Sequence, residues 1–297
     1  MNYSTNLLNY LSRSEDSCEI LLSPGAPPVA KKNSGLEIVA NAIVSPQDIR
    51  ETLSTFHSHT RGAGASPIGT YGVFSFGMPN LGRFRVHYFT QRGSHVVSVR
   101  RVPLAVPDLK TLVEDPASLK ALDELTARRD SGLVLVTSAS ADRNIEFAYA
   151  WLKRISESVG RIVYILEEDL SFLMKHEKSI VIQSEVNTDI GTLAEGIRNG
   201  LMLAPDIMYV RNPRLKEEII GLMQAAEAGS LVVISVVAFN EKALLMDFEA
   251  RLTDFYDNFC ALMKTVIRVS PANGGKLTFQ ILEGPWSKGG EPRPAAP

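Results

Sequence analysis

The chain has 297 residues, 45% of them hydrophobic and 22% charged, with a net charge of −2. That is enough for two ordinary globular domains, and the near-neutral balance gives no electrostatic footprint for nucleic acid and no basic surface for anionic lipid. Cys18 and Cys260 are too far apart for metal or redox spacing, no signal peptide pattern opens the chain, and the longest apolar run, Leu231 to Phe239, is well short of the roughly 20 residues that span a bilayer, so a reduced cytoplasmic setting is expected.

In chain order, residues 5–13 read as a short helix capped by Thr5 or Asn6, and Cys18 to Ser23 as a strand. Pro24 to Pro28 is a tight turn, and Leu36 to Val44 a second strand. Ser45-Pro46 opens a helix running to about His57, with serine at the cap and proline at N1. His59 to Pro67 is a glycine-rich loop. Segments 69–77, 82–90 and 94–102 alternate in polarity and predict three antiparallel strands. Residues 1–102 thus form a small α+β domain, and Pro103 to Pro107 a linker.

Beyond the linker, helices are expected at 108–128, 143–158, 189–202, 213–227 and 240–264. Strands are expected at 132–137, 161–166, 178–183, 206–210 and 230–237. This alternation predicts an α/β domain over 108–282 with a mainly parallel sheet covered on both faces. Residues 265–282 read as a hairpin about Ala272 to Gly275, and 283–297 as a Pro/Gly-rich disordered tail.

The strand, turn and helix over 132–155 are where a nucleotide-binding protein would carry G-x-x-x-x-G-K-[ST]. Here the slots hold Ser138, Ala139, Ser140, Ala141, Asp142, Arg143, Asn144 and Ile145. The glycines that let backbone N–H groups wrap a phosphate are missing. Asn144 cannot neutralise phosphate charge, and Ile145 cannot ligate magnesium. Asp142 suits a helix N-terminus but places negative charge where a triphosphate would sit. Like charges ~4 Å apart repel by ~4 kcal/mol at an effective dielectric of 20. The other reading of this segment is one βα unit of an ordinary sheet that never bound phosphate.

Several further segments resemble, in order, the PilT-like retraction ATPases of type IV pili, within the secretion ATPase superfamily. Leu22-Ser23-Pro24-Gly25-Ala26-Pro27-Pro28 is similar to the family's LSxGxPP turn. Gly82 to Phe89, with Gln91 and Arg92, is similar to its RFRVNxF strand, and Arg100 to Pro103 to its FRxIP segment. Ser131 to Thr137 resembles the strand before the phosphate loop. Gln183 to Val186, Glu195, Arg198 and Pro205 to Met208 follow its QxEV and PDII order, and Ala225 to Gly229 its AAETG. The resemblance covers residues 5–282. It implies a PAS-like N-terminal domain over 1–102, a RecA-like ATPase domain over 108–282, and a ring hexamer with ATP between neighbouring domains.

The same resemblance maps catalytic positions onto altered residues. The glycines and lysine of the phosphate loop become Ala141, Arg143 and Asn144, and the Walker B glutamate becomes Asn212, preceded by Arg211 in place of glycine. Asparagine cannot accept a proton. The histidines of the family's His box become Ser230 and Val237, whereas its acidic box survives as Glu167-Glu168. Arg83, Arg85 and Arg100 occupy positions of arginines that reach nucleotide on a neighbouring subunit, a role that needs only reach and charge. Their other reading is one solvated face of a sheet.

Three smaller features have bland readings. His57-Ser58-His59 has H-x-H spacing but lacks an evident third ligand, so a solvated loop is expected. Glu167 to Asp169 reads as a solvated acidic patch rather than a Mg²⁺ site. Arg143, Arg211 and Arg214 are expected to fill the empty pocket together with Asp142.

The expectation is therefore a catalytically inactive pseudo-ATPase with no cofactor and no metal, serving as a structural or regulatory subunit of a pilus or secretion machine. Its partners would be homologous ATPase subunits or inner-membrane platform proteins, with the chain cytoplasmic or peripheral to the inner membrane. The chain also stops before the helical C-terminal region the family uses in retraction. The alternatives are a divergent active ATPase using ATP and Mg, and a sensor of an anion or cyclic nucleotide.

Overall fold

The computed structural model describes residues 2–14, 19–32, 35–60, 67–103, 105–113, 115–127, 130–283, 286 and 293–294. Cys18, residues 61–66 of the glycine-rich loop and most of the tail lie outside the described residues. The chain divides into two compact units, Met1–Leu104 and Ala105–Pro297.

In the first unit, helix α1 (Ser4–Arg13) presents Leu7, Leu8 and Leu11 to the core at helical spacing. Strands β1 (Glu19–Leu22), β2 (Val29–Lys32) and β3 (Gly35–Ile38) precede helix α2 (Pro46–Ser58). The α2 start is a capping box: Ser45 Oγ accepts from Asp48 N at 3.1 Å, and Asp48 Oδ2 accepts from Ser45 N at 2.8 Å. Strands β4 (Tyr71–Met78), β5 (Gly82–Gln91) and β6 (Ser94–Val102) complete an antiparallel sheet ordered β3-β2-β1-β6-β5-β4. Its side-chain period of two decides the faces. Phe84, Val86 and Tyr88 join Phe74, Phe76, Val97, Val99, Ile20 and Leu22 against α1 and α2. Arg83, Arg85 and His87 therefore point to the other face.

The second unit opens with two helices, α3 (Leu109–Leu112) and α4 (Pro116–Ala127). Strand β7 (Gly132–Ser138) is buried at every position and leads into α5 (Ala141–Ser158). Then come β8 (Ile162–Glu167), β9 (Ile180–Glu185), α6 (Leu193–Leu203), β10 (Ile207–Arg211), α7 (Lys216–Glu227) and β11 (Leu231–Val237). Helices α8 (Glu241–Leu252) and α9 (Tyr256–Leu262) are followed by β12 (Met263–Pro271), β13 (Leu277–Glu283) and β14 (Arg293–Pro294). The sheet order is β14-β13-β12-β7-β11-β10-β8-β9, parallel from β12 to β9 and antiparallel at the β13 and β14 edge. One face packs under α5, with Phe147, Tyr149, Trp151, Leu152 and Ile155, and the other under α6 to α9. Gly196 and Gly200 let α6 approach closely, since a Cβ on either would collide with Leu166, Met208 or Tyr164.

The expected α/β architecture with a mainly parallel sheet is present, and several local expectations are corrected. The α1 cap is not Thr5 or Asn6; Asn2 Oδ1 accepts from Ser4 N at 3.0 Å. The segment 29–32 forms a strand of its own, and pairing of β3 ends at Ile38 rather than Val44. The helix expected over 108–128 is broken before Pro116, where Asp115 caps α4 by accepting from Ala117 N and Ser118 N. The helix expected over 240–264 breaks at Thr253, whose φ is +50°, and its last residues start β12. That strand is no isolated hairpin arm, because it pairs in parallel with β7. In the expected tail, Trp286 packs against the core and Arg293–Pro294 pair with Leu282 and Glu283.

Candidate functional site

Parallel sheets gather their chemistry at the carboxyl ends of the strands, and Ser138 to Ile145 lie there. Only Ala139 and Ser140 separate β7 from α5. Ser138 Oγ accepts from Ser140 N at 3.2 Å, and Ser140 Oγ caps α5 by accepting from Arg143 N at 3.5 Å. Ala141, Asp142, Arg143, Asn144 and Ile145 all belong to the first turns of α5. Asp142 is exposed where a carboxylate favours the helix dipole. Ile145 packs against the core beneath α5.

Asn144 is 1% exposed and points into the sheet. Its Nδ2 donates to Val236 O at 3.0 Å and to Val136 O at 3.4 Å. The side chain thus bolts the helix to the ends of β7 and β11, which pair in register there.

The expected filling of the pocket by Arg143, Arg211 and Arg214 with Asp142 is not what the structure holds. Arg143 turns along its own helix to Glu146, 2.7 Å away, and donates to Gly275 O at 3.4 Å. At Arg214 the backbone N–H donates to Glu218 Oε2, part of the α7 cap. Arg211 alone turns inward. Its Nε lies 2.9 Å from Glu167 Oε1, and its Nη2 donates to Asp169 O at 3.0 Å.

Glu167 is likewise no solvated patch, since it is wholly buried at the end of β8. Beside Arg211, its carboxylate accepts from Tyr149 OH at 2.6 Å, Ser171 N at 2.8 Å and Ser171 Oγ at 3.2 Å. Burial pushes the Glu167 carboxyl up from its ordinary value; Arg211, Tyr149 and Ser171 N pull against that. Burial, then the Glu167 charge, pushes the Tyr149 hydroxyl well up, so it stays neutral and donates. Tyr209 lies 5.8 Å from Tyr149, ring to ring, and is pushed up by burial too. Glu168, the other residue of the acidic pair, is exposed. Among the described residues no cluster of His, Cys, Asp or Glu is placed to hold a metal ion.

Asn212 follows β10 with φ +50°, a left-handed conformation asparagine tolerates better than most residues, and its N–H donates to Ser235 O at 2.8 Å. Val237, at the end of β11, is exposed. Ser230 ties two loops by donating to Pro205 O at 2.6 Å. Other motif residues have structural work: Asp206 accepts from Ile162 N, Glu195 donates its N–H to the α6 cap Thr192 and accepts from Gly191 N just before it, and Gln183 pins Phe172 O and Met174 N.

The three arginines of the first unit share one sheet face, with Arg85 directly opposite Arg100 and Arg100 opposite Glu19. Arg85 is only 9% exposed, and Arg83 and Arg100 are half-buried, so this is not a fully solvated face. Of the H-x-H pair, His57 belongs to α2 and stands edge-on to Phe74, whereas His59 is exposed in the turn that follows, as expected, with its ring stacked on Phe76.

Sequence reading missed Tyr149, Tyr209, Ser171 and the inward turn of Arg211. A signal existed, since Arg211 and Glu167 end neighbouring parallel strands on the same side.

No family model matches the chain. It is 29% identical over 229 residues to the type IV pilus ATPase PilU of Pseudomonas aeruginosa, an alignment covering 76% of this chain and 58% of PilU. The chain thus spans less than two thirds of that relative. The crystal structure of the pilus retraction motor PilT with bound ADP superposes with a TM-score of 0.74 at 24% identity, covering 93% of this chain and 81% of that one. The ATPase DotB of Legionella pneumophila superposes with a TM-score of 0.72 at 19% identity, over 94% of this chain and 79% of DotB. In sequence the chain is similar to PilT/PilU-type pilus ATPases, and its fold is the one seen in PilT and DotB.

Proposed function

We propose that this chain is a PilT-like pseudo-ATPase, a structural or regulatory subunit of a type IV pilus or related secretion machine. The observation carrying this reading is Asn144. A phosphate-binding lysine must project from the helix start into the nucleotide site, whereas Asn144 points the other way and is spent on Val136 O and Val236 O. The residues present do not fit Mg–ATP. Asp142 puts a carboxylate into the first turn of α5, where the free N–H groups of a helix start would otherwise favour a phosphate. Glu167, the buried carboxylate of the acidic pair, is already engaged by Arg211 and Tyr149. Asn212 offers no general base.

On this reading the first unit is PAS-like, the second RecA-like, and the chain joins homologous ATPase subunits or an inner-membrane platform as part of a ring. Arg83, Arg85 and Arg100 would serve a neighbour's nucleotide, and the half-buried Arg83 and Arg100 suit that role better than Arg85. The test is co-purification with an active PilT-type ATPase from the same organism, followed by turnover assays of the mixture. A complex whose rate depends on this chain supports the proposal. Turnover by the chain alone, dependent on Mg²⁺, would make it a divergent motor instead.

A further inference from the structure

Helix α8 is apolar on two opposite faces. Leu244, Leu245, Phe248 and Leu252 pack inward on the core. On the far side Ala243, Met246 and Ala250 are exposed at spacings of three and four, which align side chains along one face of a helix. Phe239, just ahead of the cap Asn240, begins the same line. Phe239 is 87% exposed and Met246 60%. A surface helix ordinarily keeps one apolar stripe for the core and gives its outer face to polar residues. A second apolar line at 4-3-4 spacing is the seam by which one helix packs on another.

The seam is complementary to itself when reversed. Set antiparallel about a two-fold axis at its middle, Met246 faces Ala243 of the partner subunit, and Phe239 faces Ala250 of the partner subunit. Every large side chain then meets a small one, as close packing requires. A parallel copy would set large against large and small against small. The flanks agree with reversal. Lys242 and Glu249 lie seven residues apart on one side of the seam, so an antiparallel copy brings Lys242 beside Glu249 of the partner subunit, twice by symmetry. On the other side Asp247 is already held by Arg251 at 2.7 Å.

We propose that the outer face of α8 is a self-association surface, on which a second copy of this chain docks its own α8 antiparallel. Twelve residues give a seam about 18 Å long, at the small end of specific interfaces, so the dimer is weak and concentration-dependent. Helix α8 lies across the sheet from α5 and Asn144. The inference therefore stands apart from the proposed function and holds for a motor or a pseudo-ATPase alike.

Sedimentation velocity of the 297-residue chain, from micromolar to submillimolar loading, reads the association. Wild type is expected to pass from monomer to dimer as loading rises. Met246→Glu is expected to stay monomeric with an unchanged urea midpoint, since that side chain is exposed. Lys242→Glu sets like charges together twice per dimer and should weaken it about tenfold, and adding Glu249→Lys should recover the wild-type constant. Wild type that stays monomeric at submillimolar loading overturns the proposal, as does Met246→Glu associating as well as wild type. A double variant no stronger than Lys242→Glu overturns the antiparallel register.

Discussion

Placing a lysine at position 144 should damage the fold before it supplies any chemistry. In Asn144→Lys the new ammonium starts in a position that is 1% exposed and loses both amide donations. A buried lysine avoids its desolvation by giving up its proton. At pH 7, neutralising a group of ordinary pKa ~10.4 costs about 4.6 kcal/mol, at ~1.36 kcal/mol per pH unit. Losing two hydrogen bonds adds about 1–2 kcal/mol. The total, about 6 kcal/mol, rivals the whole stability of a typical domain. Both tryptophans, Trp151 and Trp286, belong to the second unit, so urea unfolding followed by fluorescence reports on it. With a slope of about 2 kcal/mol/M, the midpoint should fall by about 3 M. The sign of the pH dependence is also determined. The unfolded chain binds the lysine proton and the folded chain does not, so the deficit should shrink by ~1.4 kcal/mol per unit as pH rises toward 10. A variant within about 1 kcal/mol of wild type at pH 7 would refute the claim that this slot is closed.

Arg211→Met leaves Glu167 buried without its cation and should cost about 3–5 kcal/mol in urea unfolding, while Arg211→Met with Glu167→Gln should recover much of that loss; a double variant as weak as the single one would contradict the pairing. Because the folded Glu167 pKa is raised, the native state holds that proton to higher pH than the unfolded chain does, so its contribution to stability falls as pH rises through the ordinary carboxyl range. Glu167→Gln should remove that slope, as the difference between the two stability–pH curves would show. Ser45→Ala removes one arm of the α2 capping box and should cost about 1 kcal/mol by thermal unfolding. In a mixed assembly with an active ATPase, Arg83→Ala and Arg100→Ala should each lower turnover by about 10³-fold or more while the complex stays intact; unchanged rates would make the arginines a sheet face only.

The second unit was legible because its strands are continuous β-branched runs broken by helical periods, as at Leu133 to Val136 and Phe147 to Ile155. Short edge strands were not: Val29 to Lys32 follows two prolines and carries two lysines, which hides a strand set by pairing with β1. In the site, the sequence pattern singled out Ser138 to Ile145 but read Asn144 as a lost charge. Its structural role comes from carbonyls up to 92 residues away, which no local pattern contains. Glu167 looked solvated beside Glu168 and Asp169 because three acids in a row usually are. Strand parity turns only one of the first two inward, and the arginine that accompanies it comes from a different strand.

Calorimetric titration of ATP into the 297-residue chain, with and without Mg²⁺, decides between a closed nucleotide site and a working one. No saturable binding in the micromolar range is expected under either condition. A magnesium-dependent micromolar dissociation constant would contradict it.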